Sequence, residues 1–174
     1  MDLEARIRRL EDIEAIRQLC TAYGIAMDER DMESTREMFT EDAELRSKDG
    51  VFAAKGRQAI LDTYQGRWDV LGPTYHFVHG QTIEIDPDDP DRATGNLTSH
   101  AEVVRNDEPM IVALQYEDVY RRDDGKWKFA EREMGYFYYM PPDRYTEVMR
   151  SPNRNLAYGD ARPADYPQAL REQG

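Results

Sequence analysis

Cysteine is nearly missing from this chain. Cys20 is the only one among 174 residues, which excludes an intrachain disulfide and any multi-cysteine metal site. Stability therefore has to come from packing. Long apolar runs are missing as well. No stretch approaches the roughly 18 residues that a membrane-spanning helix needs. The acidic start Met1-Asp2-Leu3-Glu4 also lacks the charged and apolar regions of a signal peptide. A cytoplasmic protein with no membrane partner is expected. Positive charge is scarce: 23 basic against 35 acidic side chains give a net charge of −12, and no basic patch offsets it. Such a surface repels a phosphate backbone, so nucleic acid is set aside as a partner. Glycine-rich phosphate loops and the nucleophile elbow of serine hydrolases are also absent.

What remains is the composition of one globular domain, 40% hydrophobic and 33% charged. Leu3, Ile7, Leu10, Ile13, Ile16, Leu19, Tyr23 and Met27 recur at steps of three or four, which predicts one long amphipathic helix. The pattern breaks at Asp28-Glu29-Arg30-Asp31, where Asp31 can cap a short second helix over 32–39. A hairpin is expected around Ser47-Lys48-Asp49-Gly50. A third helix then follows Gly56 and runs until Gly72-Pro73. Segments 75–85, 93–104, 110–121 and 126–139 are rich in β-branched and aromatic residues and are separated by turn residues, so they read as four long antiparallel strands. Helices first and a meander afterwards predict an α+β domain with helices covering one side of a curved sheet. Residues 141–174 carry five of the nine prolines and lose periodicity. Yet Tyr145, Val148, Met149, Leu156, Tyr158 and Tyr166 make them too apolar for a free tail. We therefore divide the chain into a domain over 1–140 and an extension over 141–174 that packs on its own barrel or on a neighbouring subunit.

This element order, the stretch Ile13-Glu14-Ala15-Ile16-Arg17-Gln18-Leu19, the pair Tyr23 and Asp28, and His76 just inside a strand resemble the nuclear-transport-factor-2-like superfamily. Within it they resemble the SnoaL-like dehydratase branch. Thr82-Ile83-Glu84-Ile85-Asp86, Ala93-Thr94-Gly95 and Gly125-Lys126-Trp127-Lys128-Phe129 match the strand and hairpin texture of that branch. The resemblance is strongest to bile-acid 7α-dehydratase, with scytalone dehydratase and hexachlorocyclohexane dehydrochlorinase further off, and it covers about residues 3 to 140. It implies a cone-shaped α+β barrel. It also implies that a tyrosine and an aspartate from the end of the first helix meet a strand histidine inside the cone. By position these are Tyr23, Asp28 and His76.

The chemistry fits those residue types. A neutral histidine is a natural general base near pH 7, and a carboxylate on its other nitrogen fixes the tautomer and stabilises the imidazolium. Five helical residues subtend about 500°, so Tyr23 and Asp28 cannot share a face, and Asp28 has to lie at the helix end. The plain alternative is that Tyr23 is core and Asp28 only begins a turn. His76 and His79, three apart on a strand, face opposite sides, which argues against a shared metal ion. His76 is taken as the inward residue, with His79 in its place if the register slips by one. His79, His100, Tyr116, Tyr136 and Tyr138 are the candidate substrate contacts. Alternation should turn inward either Tyr136 and Tyr138 or Phe137 and Tyr139. In the bile-acid enzyme an arginine acts near the end of this strand, where this chain has tyrosines, which points away from a bile-acid coenzyme A ester. Arg132 is placed on the surface, and Cys20 in the packed stripe.

The expected function is a cofactor-independent lyase, a dehydratase of a small, cyclic, largely apolar hydroxy-ketone or enone such as a steroid or polyketide. A double-bond isomerase or polyketide cyclase uses the same base. A non-catalytic ligand-binding subunit is the reading from another class. A homodimer or homotrimer is expected, because the 110–120 strand is read as carrying apolar residues on the outer face.

Overall fold

A computed structural model describes residues 2–171. Helix α1 (Leu3–Glu29) starts at Asp2, whose side chain accepts the Ala5 amide, and it ends at Arg30 in the left-handed conformation. Asp31 caps α2 (Met32–Met38) by accepting from the Ser34 amide. Strand β1 (Phe39–Ser47) turns back as β2 (Ala53–Lys55), and α3 (Arg57–Trp68) follows. The long strands β3 (Leu71–Ile85), β4 (Arg92–Arg105), β5 (Glu108–Asp123) and β6 (Lys126–Met140) then form the meander. Helix α3 stops at Trp68, earlier than expected, and Gly72-Pro73 belong to β3 instead.

The six strands lie in the order β2-β1-β6-β5-β4-β3. Only the β1–β6 pairing is parallel, so the expected α+β architecture holds: helices over a curved, mostly antiparallel sheet. On β5 the even-numbered side chains Met110, Val112, Leu114, Tyr116, Asp118 and Tyr120 are buried. Most apolar residues of this strand therefore fill the cone, contrary to the sequence reading, while Ile111, Ala113 and Val119 have the opposite parity and Ile111 packs against Val148 and Leu156 of the tail. The stripe of α1 is shorter than its periodicity. Burial of its apolar residues begins at Ile16, while Leu3, Ile7 and Leu10 are exposed because no strand reaches beneath the first turns. Asp12 ties this half of α1 down by accepting from Trp127 Nε1 at 3.1 Å and Arg122 at 2.6 Å.

Strand β6 carries two bulges, between the pairs Val119/Tyr120 and Ala113/Leu114 of its partner. Each inserts one residue and shifts the inward parity. The first turns Arg132 into the core, correcting its expected surface position. There its guanidinium forms a bidentate pair with Asp118 at 2.9 Å on both bonds, with both side chains fully buried. The Tyr23, Tyr116 and Phe129 rings pack against it at 4.0–4.2 Å. The second bulge makes Tyr136 and Tyr139 inward together, so neither pair expected from strict alternation occurs.

Residues 141–171 include a 3-10 turn (Pro142–Arg144), α4 (Tyr145–Val148) and α5 (Gln168–Arg171). They fold back along β6, where Asn155 bridges Tyr139 and Asp165 accepts from the Tyr136 amide. Gly135 permits this: a Cβ there would stand 2.6 Å from the Tyr166 ring.

The buried ion pair yields a prediction. Asp118→Leu alone strands the guanidinium in an apolar site and should cost roughly 3 kcal/mol or more, a fall in Tm on the order of 6–12 °C. The double variant Asp118→Leu/Arg132→Met should recover most of that loss in calorimetry. Additive losses would show that the two residues do not act as a pair.

Candidate active site

The C-terminal end of α1 packs on β3 with Gly24 beside His76, where a Cβ would make ordinary contact with His76 Cβ at 3.4 Å. Asp28, next to last in the helix, is thereby brought to His76. Its Oδ1 lies 2.6 Å from His76 Nδ1, its Oδ2 accepts the His76 backbone N–H at 2.9 Å, and Thr74 Oγ1 donates to Oδ1 at 3.2 Å. Three donors thus converge on one carboxylate. Burial pushes the Asp28 carboxyl up, but the His76 ring, the His76 amide, the histidine charge and Thr74 outweigh it and hold the pKa below the ordinary value. With Asp28 ionised, the imidazole proton sits on Nδ1. Nε2 is then the lone-pair nitrogen and makes no hydrogen bond to the protein among the described residues.

His76 lines a cavity of about 360 Å³ whose wall is drawn from α1, α3, the inner face of the sheet and Tyr158 of the tail. Tyr23 lines it too. Its hydroxyl meets that of Tyr64 at 2.8 Å, so the two phenols form one unit with a single proton left to donate. Burial raises the Tyr64 pKa well above normal, which keeps that phenol protonated. Tyr116 and Tyr136 are in the wall, as expected, with Tyr139, Trp68, Met27 and Met134.

The other three candidate substrate contacts lie elsewhere. His79, His100 and Tyr138 stand on the outer face of the sheet, linked as His79 Nε2 to His100 Nδ1 at 2.8 Å and His100 Nε2 to the Tyr138 hydroxyl at 3.1 Å. His79 has the parity of exposed Tyr75 and Phe77, and Tyr138 lies beyond the second β6 bulge. His76 and His79 therefore cannot hold one ion together. Cys20 is packed, as expected, against Tyr120 and Gln81, and burial raises its thiol pKa.

Sequence reasoning missed Thr74, Tyr64, Arg67, Arg105 and Tyr158. Thr74 had a signal, since it shares the strand parity of His76. The others come from α3, the end of β4 and the tail, and only the closed fold brings them together.

These features define a class: an α+β cone whose largely aromatic and aliphatic cavity contains a histidine held by a carboxylate. Residues 8–133 match the SnoaL-like domain family, and the chain belongs to it. A gamma-hexachlorocyclohexane dehydrochlorinase of Sphingobium indicum is 26% identical over 134 residues, spanning 76% of this chain and 85% of that protein. Among solved structures, LinA superposes with a TM-score of 0.72 at 25% identity, covering 78% of this chain and 92% of its own. A candidate scytalone dehydratase from Novosphingobium aromaticivorans gives 0.71 at 25% identity, covering 78% and 91%. The matched family region ends before the tail.

The depressed Asp28 pKa has a consequence for stability. An unfolded aspartate titrates near about 3.9, so the contribution of Asp28 is complete above that pH. It is lost as pH falls through the lower folded value. Denaturant titrations of wild type and Asp28→Asn should show a stability gap at neutral pH that closes on acidification below about pH 4. A gap that persists unchanged at the acid end would mean that the carboxylate is not held as described.

Proposed function

We propose that the protein is a cofactor-independent lyase that removes a proton and a leaving group, water in the simplest case, from a small cyclic substrate. The observation that carries this reading is the free Nε2 of a cavity histidine whose Nδ1 is held by Asp28. The similarity to a protein named for dehydrochlorination and to a candidate dehydratase supports it.

In this scheme Nε2 takes a proton from a carbon made acidic by a neighbouring carbonyl or leaving group. The C–H electron pair becomes the new double bond, and the leaving group departs with its own bonding pair. Asp28 stabilises the imidazolium, and the Tyr23–Tyr64 unit donates its spare proton to the developing enolate or to departing hydroxide, giving water. General base catalysis contributes on the order of 10²–10⁴-fold, so the cavity supplies the rest through positioning and electrostatics. A volume of about 360 Å³ is at the small end of ligand pockets, which favours one or two rings over a four-ring steroid. An isomerase or cyclase would share the proton abstraction but release no water. Release of water or halide during turnover therefore separates the readings.

Steady-state kinetics on a substrate found by screening hydroxylated and halogenated cyclic compounds provides the test. His76→Ala should nearly abolish turnover. Asp28→Asn should cut it severely but less, and Tyr23→Phe by on the order of 10–10³-fold. The double variant Asp28→Asn/His76→Ala should be little worse than His76→Ala. Folded His76→Ala protein with near wild-type turnover would end the general-base reading.

We also propose a homodimer or homotrimer. Exposed Tyr75 and Phe77 on the outer face of β3 offer an apolar surface for it. Light scattering should give a multiple of 20.3 kDa. A monomer at micromolar concentration would rule this out.

A further inference from the structure

Acidic side chains outnumber basic ones in this chain, and the buried or half-buried arginines of the sheet mostly have carboxylate partners: Arg46, Arg122 and Arg132 each form ion pairs. Four half-buried arginines do not: Arg154 and Arg162 of the tail, of which Arg154 donates to backbone carbonyls, and the two that line the cavity. Arg67 of α3 and Arg105 at the end of β4 make no ion pair among the described residues, and both line the cavity that contains His76. The Arg67 guanidinium lies 4.2 Å from the Phe52 ring centre and 5.8 Å from that of Tyr64, and its one hydrogen bond goes to the Met134 sulfur at 3.9 Å. Arg105 lies 5.9 Å from the centre of the Tyr158 ring. Among the described residues no aspartate or glutamate lines this cavity. Asp49 is the nearby acid, and it raises the pKa of Tyr136 and Tyr158, but its carboxylate accepts from the Val51 amide and pairs with neither arginine.

Withdrawing a cation from water without a counter-charge is unfavourable, and contacts with aromatic faces offset only part of that. Two such cations in one cavity, in a protein with a charge of −12, mark a place where an anion completes the site.

The geometry also sets its distance from the base. Ala101 pairs with His76, and Arg105 pairs with Leu71. Ala101, Val103 and Arg105 share the inward face, so Arg105 lies four residues, or about 13 Å of strand, from the histidine row. His76 and Arg105 line the same cavity at that separation along the strands.

We propose that Arg67 and Arg105 form an anion subsite, and that the substrate is a cyclic carboxylate whose ring lies against His76 and whose carboxylate lies between the two guanidiniums. The inference rests on the lyase reading only for which end of the ligand reacts; the subsite itself is a matter of binding. Guanidinium groups suit a carboxylate because two parallel N–H donors match its two oxygens. Tyr139 and Tyr158 line the cavity beside Arg105, and Arg105 hydrogen-bonds the Tyr139 hydroxyl. The tail contributes Tyr158, so residues outside the matched family region help to build the subsite.

The test uses inert probes and no turnover. Cyclohexanecarboxylate and the isosteric cyclohexanecarboxamide are titrated into the full chain by calorimetry, with the fluorescence of cavity-lining Trp68 as a second readout. The pH is kept above the histidine range so that an imidazolium cannot act as the anion's partner. Wild type should bind the carboxylate at least about tenfold more tightly than the amide. Arg105→Gln and Arg67→Gln should each weaken carboxylate binding by about tenfold or more and amide binding by clearly less, and the double variant should erase the preference. If Arg67→Gln fails to fold, the wild-type preference and Arg105→Gln still decide the matter.

Equal affinity for the two probes would overturn the subsite. So would a preference that survives Arg105→Gln, or no saturable binding of the carboxylate at millimolar concentration. A preference without any eliminating activity in the substrate screen would remove the lyase reading and leave the subsite standing. Elimination from neutral substrates without a preference would do the reverse.

Discussion

The interior of the cone is organised around one fully buried ion pair, Arg132 with Asp118. Two charges so far from water persist only when their geometry is good, and here it is: two parallel hydrogen bonds between directly opposed residues of neighbouring strands. The Tyr120 hydroxyl donates to the same carboxylate at 2.9 Å. Aromatic rings enclose the guanidinium, and one of them is Tyr23 of α1. The pair thus holds the register of β5 against β6, seats the middle of the long helix, and fixes where the last turn of that helix meets β3. Asp28 meets His76 one turn beyond that contact. Loss of either charge would leave the other unpaired at the point where helix and sheet are joined.

A division of charge follows along the cavity. At one end Asp28 accepts three hydrogen bonds, so its negative charge is spent on His76 and Thr74 and leaves the imidazole oriented with Nε2 free. At the other end the arginines of α3 and β4 have no carboxylate, and the tail closes over them with Tyr158. Between the two ends the wall is aromatic and aliphatic. A ligand that is apolar in the middle and anionic at one end matches this distribution. The outer face of the same sheet carries a second linked pair of histidines, His79 and His100. The charge of His79 adds to burial in lowering the pKa of His100. That pair lies on the face of the sheet opposite His76.

Much of this protein is determined locally and can be read directly from the chain. The periods of 3.6 and 2 place α1, α2 and the four long strands to within a few residues. The acidic break after Met27 puts Asp28 at a helix end, and the strand period separates His76 from His79, since successive side chains alternate regardless of what packs on them. What the tertiary structure decided is whatever depends on parity across a bulge or on meetings between distant segments. Arg132 changed from a surface residue to the centre of the core because one inserted residue in β6 reversed the inward set, and a second let Tyr136 and Tyr139 face inward together. A bulge is specified by its pairing partner and leaves no period of its own. The exposure of Leu3, Ile7 and Leu10 likewise depends on how far the sheet extends beneath α1. Tyr64, Arg67, Arg105 and Tyr158 share one cavity only because the cone closes and the tail returns across it. The chain alone determined which groups could do chemistry; folding decided which of them meet, because that depends on contacts between residues far apart in sequence.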